Sequence, residues 1–303
     1  MDIYGELLRW AAEQDIEING IEPRILSNKG TGIIARRDIQ VPSPSMALGL
    51  SLILDLMQKQ KRKFQRDWEI VSSNFSNINR THYLHSWMVV NTRSFYCTTS
   101  NMEGLPHDDR LAILPVADLF NHSDVGCELE FSSNEYTFTA DRRYDAGEEV
   151  YICYGKHSND FLLAEYGFVP TENRWDVVCL DDAILPYLNE EQKAALSDKG
   201  FLGKYMLSPE TVGCSRTRVA MRLLCCTIEE WEQYLFFEAG EDFSYGEKDV
   251  LIEILDTFVK MIHQTLKDIG NLKAGEICQR ELLVKRWSQI ETIVTKAMQN
   301  LAS

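Results

Sequence analysis

The feature that most restricts the fold of this 303-residue chain is a change in hydrophobic period near Pro170. Upstream, over residues 111–154, apolar side chains come in short runs and strict alternations, the pattern of half-buried strands. Turn-forming residues interrupt them at 121–124 and at Asp145-Ala146-Gly147. The stretch "YTFTADRRYDAGEEVYICYG" (136–155) reads as a hairpin closed by its Asp-Ala-Gly corner. From about residue 187 onward apolar positions recur three and four apart, most clearly over 249–267 and 280–301, and both segments are read as helices. The two periods in succession predict an α+β chain: a strand-rich first lobe over 1–175 and an all-helical second lobe over 176–303.

The strands are preceded by helical signals. Ile3, Leu7, Leu8 and Ala11 share a helical face, and "NKGTGIIARRDI" is a tight glycine turn running into a short strand at 33–35. Residues 46–57 read as a buried helix, and "KQKRKFQRDWE" continues it on a solvated face. Residues 81–93 form a further predicted helix, with His85, Met88 and Val89 at helical spacing. Together these make a helical insert at about 45–90.

The net charge of -15 argues against binding a nucleic-acid backbone, which calls for Lys and Arg clusters, and fits a cationic protein partner or simple solubility. None of the eight cysteines forms a C-x-x-C pair, so neither a zinc cluster nor a redox dithiol is expected, and no metal is assigned. The opening "MDIYGELLRWAAEQ" is charged and amphipathic, unlike a secretory signal. The longest apolar run is too short to span a bilayer, so no membrane anchoring is expected. The expected compartment is the cytoplasm or the nucleus.

Asn121 and His122 stand side by side at the end of the apolar run in "VADLFNHSDVGCELEF". Alone, the pair admits two readings: an Asx turn capping the run, or two polar side chains holding a ligand. "KGTG" at 29–32 is followed by a strand and not a phosphate-binding helix, which argues against a dinucleotide site. His82 and His85 sit three apart without further ligands nearby, so ordinary helix residues are expected there, and "HDD" at 107–109 reads as an exposed loop.

Five pieces in order, "KGTG" (29–32), "NTRSF" (91–95), "ADLFNHS" (117–123), "GEEVYICYG" (147–155) and "SNDFLLAEYGF" (158–168), resemble the SET-domain protein methyltransferases. The subgroup most alike is that of the Rubisco large-subunit lysine methyltransferase. The resemblance implies a SET β-fold in which the Asn-His segment packs against the later Tyr strand in a pseudo-knot. It implies S-adenosylmethionine (AdoMet) as cofactor and a protein lysine as acceptor. By the same likeness Lys29, Gly30 and Thr31 approach AdoMet through the backbone, although the subgroup often has an acidic residue where Lys29 stands. Arg93 would bind the AdoMet carboxylate, Asn121 its methionine part, and His122 would lie near the adenine. Tyr166 and Phe168 would complete the pocket wall. Asp118 would stand beside the tunnel of the target lysine, or fix the adjacent turn.

Tyr154 matches the family's catalytic tyrosine. Only a neutral amine attacks a sulfonium-bound methyl group, and lysine's reference pKa is roughly 10.4, so the site must favour the uncharged form. Tyr154 would align that amine by pre-organised electrostatics rather than act as a base, while Tyr151 belongs to the opposite strand face and reads as core. Phe95, as an apolar wall near the acceptor, favours lysine over histidine. The absence of a cysteine-rich segment after the core leaves the helical lobe to close the substrate groove. By analogy with the subgroup, the expected substrate is a basic, non-histone protein, ribosomal or translation-related. Protein-histidine methylation and a non-catalytic SET binding module stay open as alternatives.

Overall fold

The computed structural model describes residues 51–97, 102, 104–106, 110–132, 135–237, 243–273 and 277–302. The glycine turn at 29–32, the strand at 33–35, the opening helix and the loop at 107–109 lie outside them. The described residues fall into two compact units. One contains Gln58–His157 and Glu165–Asn173; the other contains residues 51–57, Ser158–Ala164 and the described chain from Arg174 onward.

The described part of the first unit opens with two helices, the first from Gln58 onward. Helix α1 (Ser51–Asn74) carries the basic stretch on its exposed side, while Phe64 is buried and Trp68 half-buried. Asn79 caps α2 (Arg80–Arg93) by accepting from the backbone N–H groups of Thr81 and His82 at 2.9 and 3.1 Å. Aromatic rings join the pair: Phe64 meets Trp87 edge-on at 5.4 Å, and the Trp87 indole donates to Asp67 at 2.9 Å. The face of α2 turned inward therefore runs through Tyr83 and Trp87, whereas His82, His85 and Val89 are exposed. This corrects the predicted His85–Val89 stripe. A large indole with a hydrogen-bond partner outweighs the smaller side chains at equivalent spacing.

Two short strands, β1 (Ser94–Tyr96) and β2 (Leu111–Ile113), pair antiparallel. A 3-10 turn (Ala117–Leu119) leads into β3 (Asn121–Ser132), the longest strand. Its far end pairs antiparallel with β4 (Glu135–Thr139), and its beginning pairs parallel with β5 (Tyr151–Ile152). The expected turn at 121–124 is thus part of a strand, which leaves its register between His122 and Cys127. The expected hairpin over 136–155 is also corrected: β4 and β5 both pair with β3, on opposite sides of it. Alternation marks strands but does not name their partners.

The second unit is helical, with one small exception. Helix α3 (Asn159–Tyr166) enters it, β6 (Val178–Cys179) pairs antiparallel with β7 (Met206–Leu207), and between and after these strands come α4 (Asp181–Ile184), α5 (Glu190–Asp198), α6 (Ser215–Cys225), α7 (Ile228–Phe237), α8 (Tyr245–Gly270) and α9 (Ile277–Ala302). The two-residue ladder corrects the all-helical expectation, because strands that short carry no readable period. Capping boxes start α5 (Asn189 with Gln192) and α8 (Ser244 with Glu247). The core is built at helical spacing from Leu251, Leu255, Phe258 and Ile262 on α8 and Trp287, Ile290 and Val294 on α9.

A charged cluster around Arg286 interrupts that apolar core. The wholly buried Arg286 guanidinium donates to Asp160 at 2.5 Å and to Asp176 at 2.7 Å, and Asp176 also accepts from the Asn159 backbone at 2.9 Å. Burial pushes the Asp176 carboxyl up, and the Arg286 charge opposes that shift.

Candidate active site

The parallel pairing of β3 with β5 sets Asn121 opposite Tyr151 and His122 opposite Ile152. This brings together two of the predicted segments, separated by about thirty residues of chain. The approach is close enough to require glycine: a Cβ at Gly126 would stand 2.6 Å from the Tyr151 carbonyl oxygen. Beyond β5 the chain turns through Gly155, whose φ of +140° and close contact with the His157 ring also exclude a side chain.

Four aromatic rings converge beyond this crossing. The Tyr154 ring centroid lies 5.1 Å from His122, 5.2 Å from Tyr166 and 6.3 Å from Phe168, and His122 lies 5.8 Å from Phe168. The Tyr154 hydroxyl donates to the Phe120 carbonyl at 2.6 Å, and its backbone N–H donates to His122 Nδ1 at 3.1 Å. Nδ1 therefore accepts, and the neutral imidazole keeps its proton on Nε2. Burial favours this neutral form by pulling the His122 pKa below its ordinary value. Burial also pushes the Tyr154 hydroxyl up to about 12, with Arg93 opposing and Tyr166, Asp118 and Glu149 reinforcing the shift. At neutral pH Tyr154 is a hydroxyl donor, not a phenolate.

Asp118 sits on the 3-10 turn, half-buried, and burial raises its carboxyl pKa against the pull of Arg93. The Arg93 guanidinium, at the end of α2, donates to the Asp118 carbonyl and so ties that helix to the turn. The turn follows Val116, a buried β-branched residue at φ 77° and ψ -47°. That conformation is rarely adopted by β-branched residues and marks local strain immediately before the site.

Asn121 is engaged by a partner that sequence reading passed over. Its Nδ2 donates to Glu149 at 2.7 Å, and the Tyr151 hydroxyl also donates to Glu149. Tyr151 is thus half-buried and hydrogen-bonded, not a core residue. The signal lay in "GEEVY": two adjacent carboxylates before a strand, one of which faces inward. Phe95 does not join the Tyr154 rings. It packs edge-on against Tyr136 at 5.8 Å and Phe138 at 6.3 Å, and Phe138 stacks on Phe120 at 5.3 Å. Lys29, Gly30 and Thr31 lie outside the described residues.

Comparisons with known proteins accord with this geometry. The family model for the SET domain matches residues 30–155. The chain is 28% identical over 248 residues to human SET domain-containing protein 4, covering 77% of this chain and 54% of that protein. It is 32% identical over 174 residues to ribosomal lysine N-methyltransferase set11 of Schizosaccharomyces pombe, covering 57% of this chain and 44% of that protein. The chain thus spans about half the length of the curated relatives it matches. Its fold is like that of the SET domain of LSMT crystallised with lysine and AdoHcy, at a TM-score of 0.50 and 15% identity, covering 86% of this chain and 66% of that one. With the paired β3 and β5 segments within it, the stretch over 30–155 matches the SET domain, and the fold of the chain is like that of LSMT.

Proposed function

We propose that this chain is an AdoMet-dependent protein-lysine N-methyltransferase acting on a non-histone protein, with Tyr154 as the catalytic residue. The observation that carries the reading is the Tyr154 hydroxyl, held protonated within a cluster of three other rings and fixed on the Phe120 carbonyl. Because the hydroxyl donates there, its oxygen lone pairs are what it offers to an amine N–H.

The residues present fit AdoMet. Aromatic faces at His122, Tyr166 and Phe168 suit a planar base and a sulfonium cation, and the His122 Nε2–H supplies a donor. When bound, AdoMet supplies a methyl group that a neutral amine can accept. Arg93 and Asn121 supply polar groups for its amino-acid part, and the backbone at Lys29, Gly30 and Thr31 is assigned to the same ligand from the motif alone. Asp118 stands for the substrate lysine, close enough to Tyr154 to act on its titration. Phe95 is assigned beside the acceptor from the motif alone, as an apolar wall that favours an alkylamine over an imidazole; its ring packs with Tyr136 and Phe138.

The substrate class follows from two supports. Two relatives, from Schizosaccharomyces pombe and Saccharomyces cerevisiae, are named as ribosomal lysine N-methyltransferases. A net charge of -15 would also steer a basic protein toward this chain. A reducing compartment, cytoplasm or nucleus, accords with eight cysteines none of which is in a disulfide. The test is transfer of labelled methyl from AdoMet into a whole-cell protein extract, followed by acid hydrolysis of the labelled band. Label recovered in methyllysine supports the reading. Label in methylhistidine would move the acceptor assignment, and a protein that binds AdoMet without any transfer would be a binding module.

A further inference from the structure

Among the described residues, the Glu149 carboxylate is the acidic group that hydrogen-bonds to both segments at the crossing of β3 and β5. It receives the Asn121 Nδ2–H at 2.7 Å from the first residue of β3, and the Tyr151 hydroxyl from the first residue of β5. Asn121 and Tyr151 are themselves register partners, so Glu149 closes a three-membered polar clip over that pair. A carboxylate only accepts, which leaves no ambiguity about the Asn121 amide: its NH2 faces Glu149, and its carbonyl oxygen is the part left to receive a donor. Tyr151 keeps its own proton, since burial and Glu149 together push it up to about 12. The clip is half-buried, where a hydrogen bond to a charged acceptor is stronger than one between neutral groups.

We propose that Glu149 is a positioning residue that holds the Asn121 amide in the orientation the ligand requires. Glu149 acts through Asn121 and not by touching the ligand. The ligand's identity rests on the functional reading given above, in which Asn121 meets the amino-acid part of AdoMet; the clip itself does not. Removing the acceptor frees the amide to turn over and present NH2 where a carbonyl oxygen is needed, so ligand affinity falls while the fold is kept.

The experiment is a double-mutant cycle on AdoMet affinity, measured by calorimetry on the full chain, with E149M, E149Q, N121A and the double variant E149M/N121A. E149M keeps the side-chain volume without an acceptor, and E149Q restores an oxygen that accepts from Asn121. E149M is expected to weaken AdoMet binding by about tenfold, in keeping with the loss of one charge-assisted hydrogen bond. E149Q should remain within about threefold of wild type, and the double variant should bind no more weakly than N121A. Wild-type affinity in E149M, or full additivity in the double variant, would overturn the proposal. Side-chain amide NMR of Asn121, with the resonance assigned from N121A, reads the clip without ligand. The signal should shift in E149M and hold in E149Q; no shift in E149M would remove the clip. If wild type fails to bind AdoMet while the NMR shift is present, the functional reading fails and the clip stands.

Discussion

Around Arg286 the protein excludes water, and around Tyr154 it only limits it. In the helical unit Leu251, Leu255, Ile262, Trp287, Ile290 and Val294 are buried at regular spacing, and the charged cluster around Arg286 is fully paired. Around Tyr154 the side chains Arg93, Asp118, Asn121, His122, Glu149, Tyr166 and Phe168 are all half-buried, and their hydrogen bonds go largely to backbone atoms or to one another. The first arrangement spends its burial on stability. The second keeps polar groups dry enough to be perturbed and open enough to meet a ligand, as the proposed catalytic role requires. Substitutions should therefore separate the two regions by which quantity they move.

The largest stability loss is expected on breaking the charged cluster. Arg286→Met leaves Asp160 and Asp176 buried without a counter-charge and should cost about 3–5 kcal/mol in urea unfolding. A cost near zero would show that the cluster is not closed to water. Next, Leu255→Ala in the α8 core should cost about 2–5 kcal/mol, with no change in methyl transfer beyond the fraction unfolded. The comparison between Val116→Gly and Val116→Ala is smaller and more diagnostic. Both remove the isopropyl group, but only glycine accepts φ 77° freely, so the glycine variant should be the more stable by about 1 kcal/mol. Equal stabilities would mean the turn before Asp118 relaxes without strain.

The smallest effect is on pH dependence. The folded-state pKa of His122 lies below its unfolded value, so below pH about 6.5 the unfolded chain takes up a proton that the folded chain resists. Stability should fall as pH drops through that window, and His157, lowered for the same reason, adds to it. Replacing both histidines with Asn should flatten the stability profile between pH 7 and the folded-state pKa values, read from urea midpoints. An unchanged slope would locate the titration elsewhere.

The sequence made the helical unit legible because its burial is periodic: the segments over 249–267 and 280–301 lie within α8 and α9. The strand unit was legible through motifs more than through period. Alternation marked the strands near Leu129 and Phe138, yet it assigned β5 to the wrong partner, since pairing is a long-range property. The two-residue strands β6 and β7 left no pattern to read. For the site, the rings of His122, Tyr154, Tyr166 and Phe168, all of them in the motifs, converge. Glu149 escaped notice because a carboxylate in "GEE" has the appearance of a solvated turn, and only the crossing of two strands turns it inward. Phe95 shows the converse: a motif residue whose ring packs with Tyr136 and Phe138 instead of the Tyr154 cluster.

The proposed role of the Tyr154 hydroxyl is in the transfer itself and not in the fold. It is tested most directly by Tyr154→Phe, measuring the single-turnover rate of methyl transfer beside the AdoMet dissociation constant and the unfolding midpoint. The rate should fall by on the order of a hundredfold, as for loss of one pre-organised hydrogen-bonding group. AdoMet affinity should stay within about threefold of wild type and the stability loss should be only about 1 kcal/mol, the net worth of the hydrogen bond to Phe120. Transfer at the wild-type rate would contradict that role and remove Tyr154 from the chemistry.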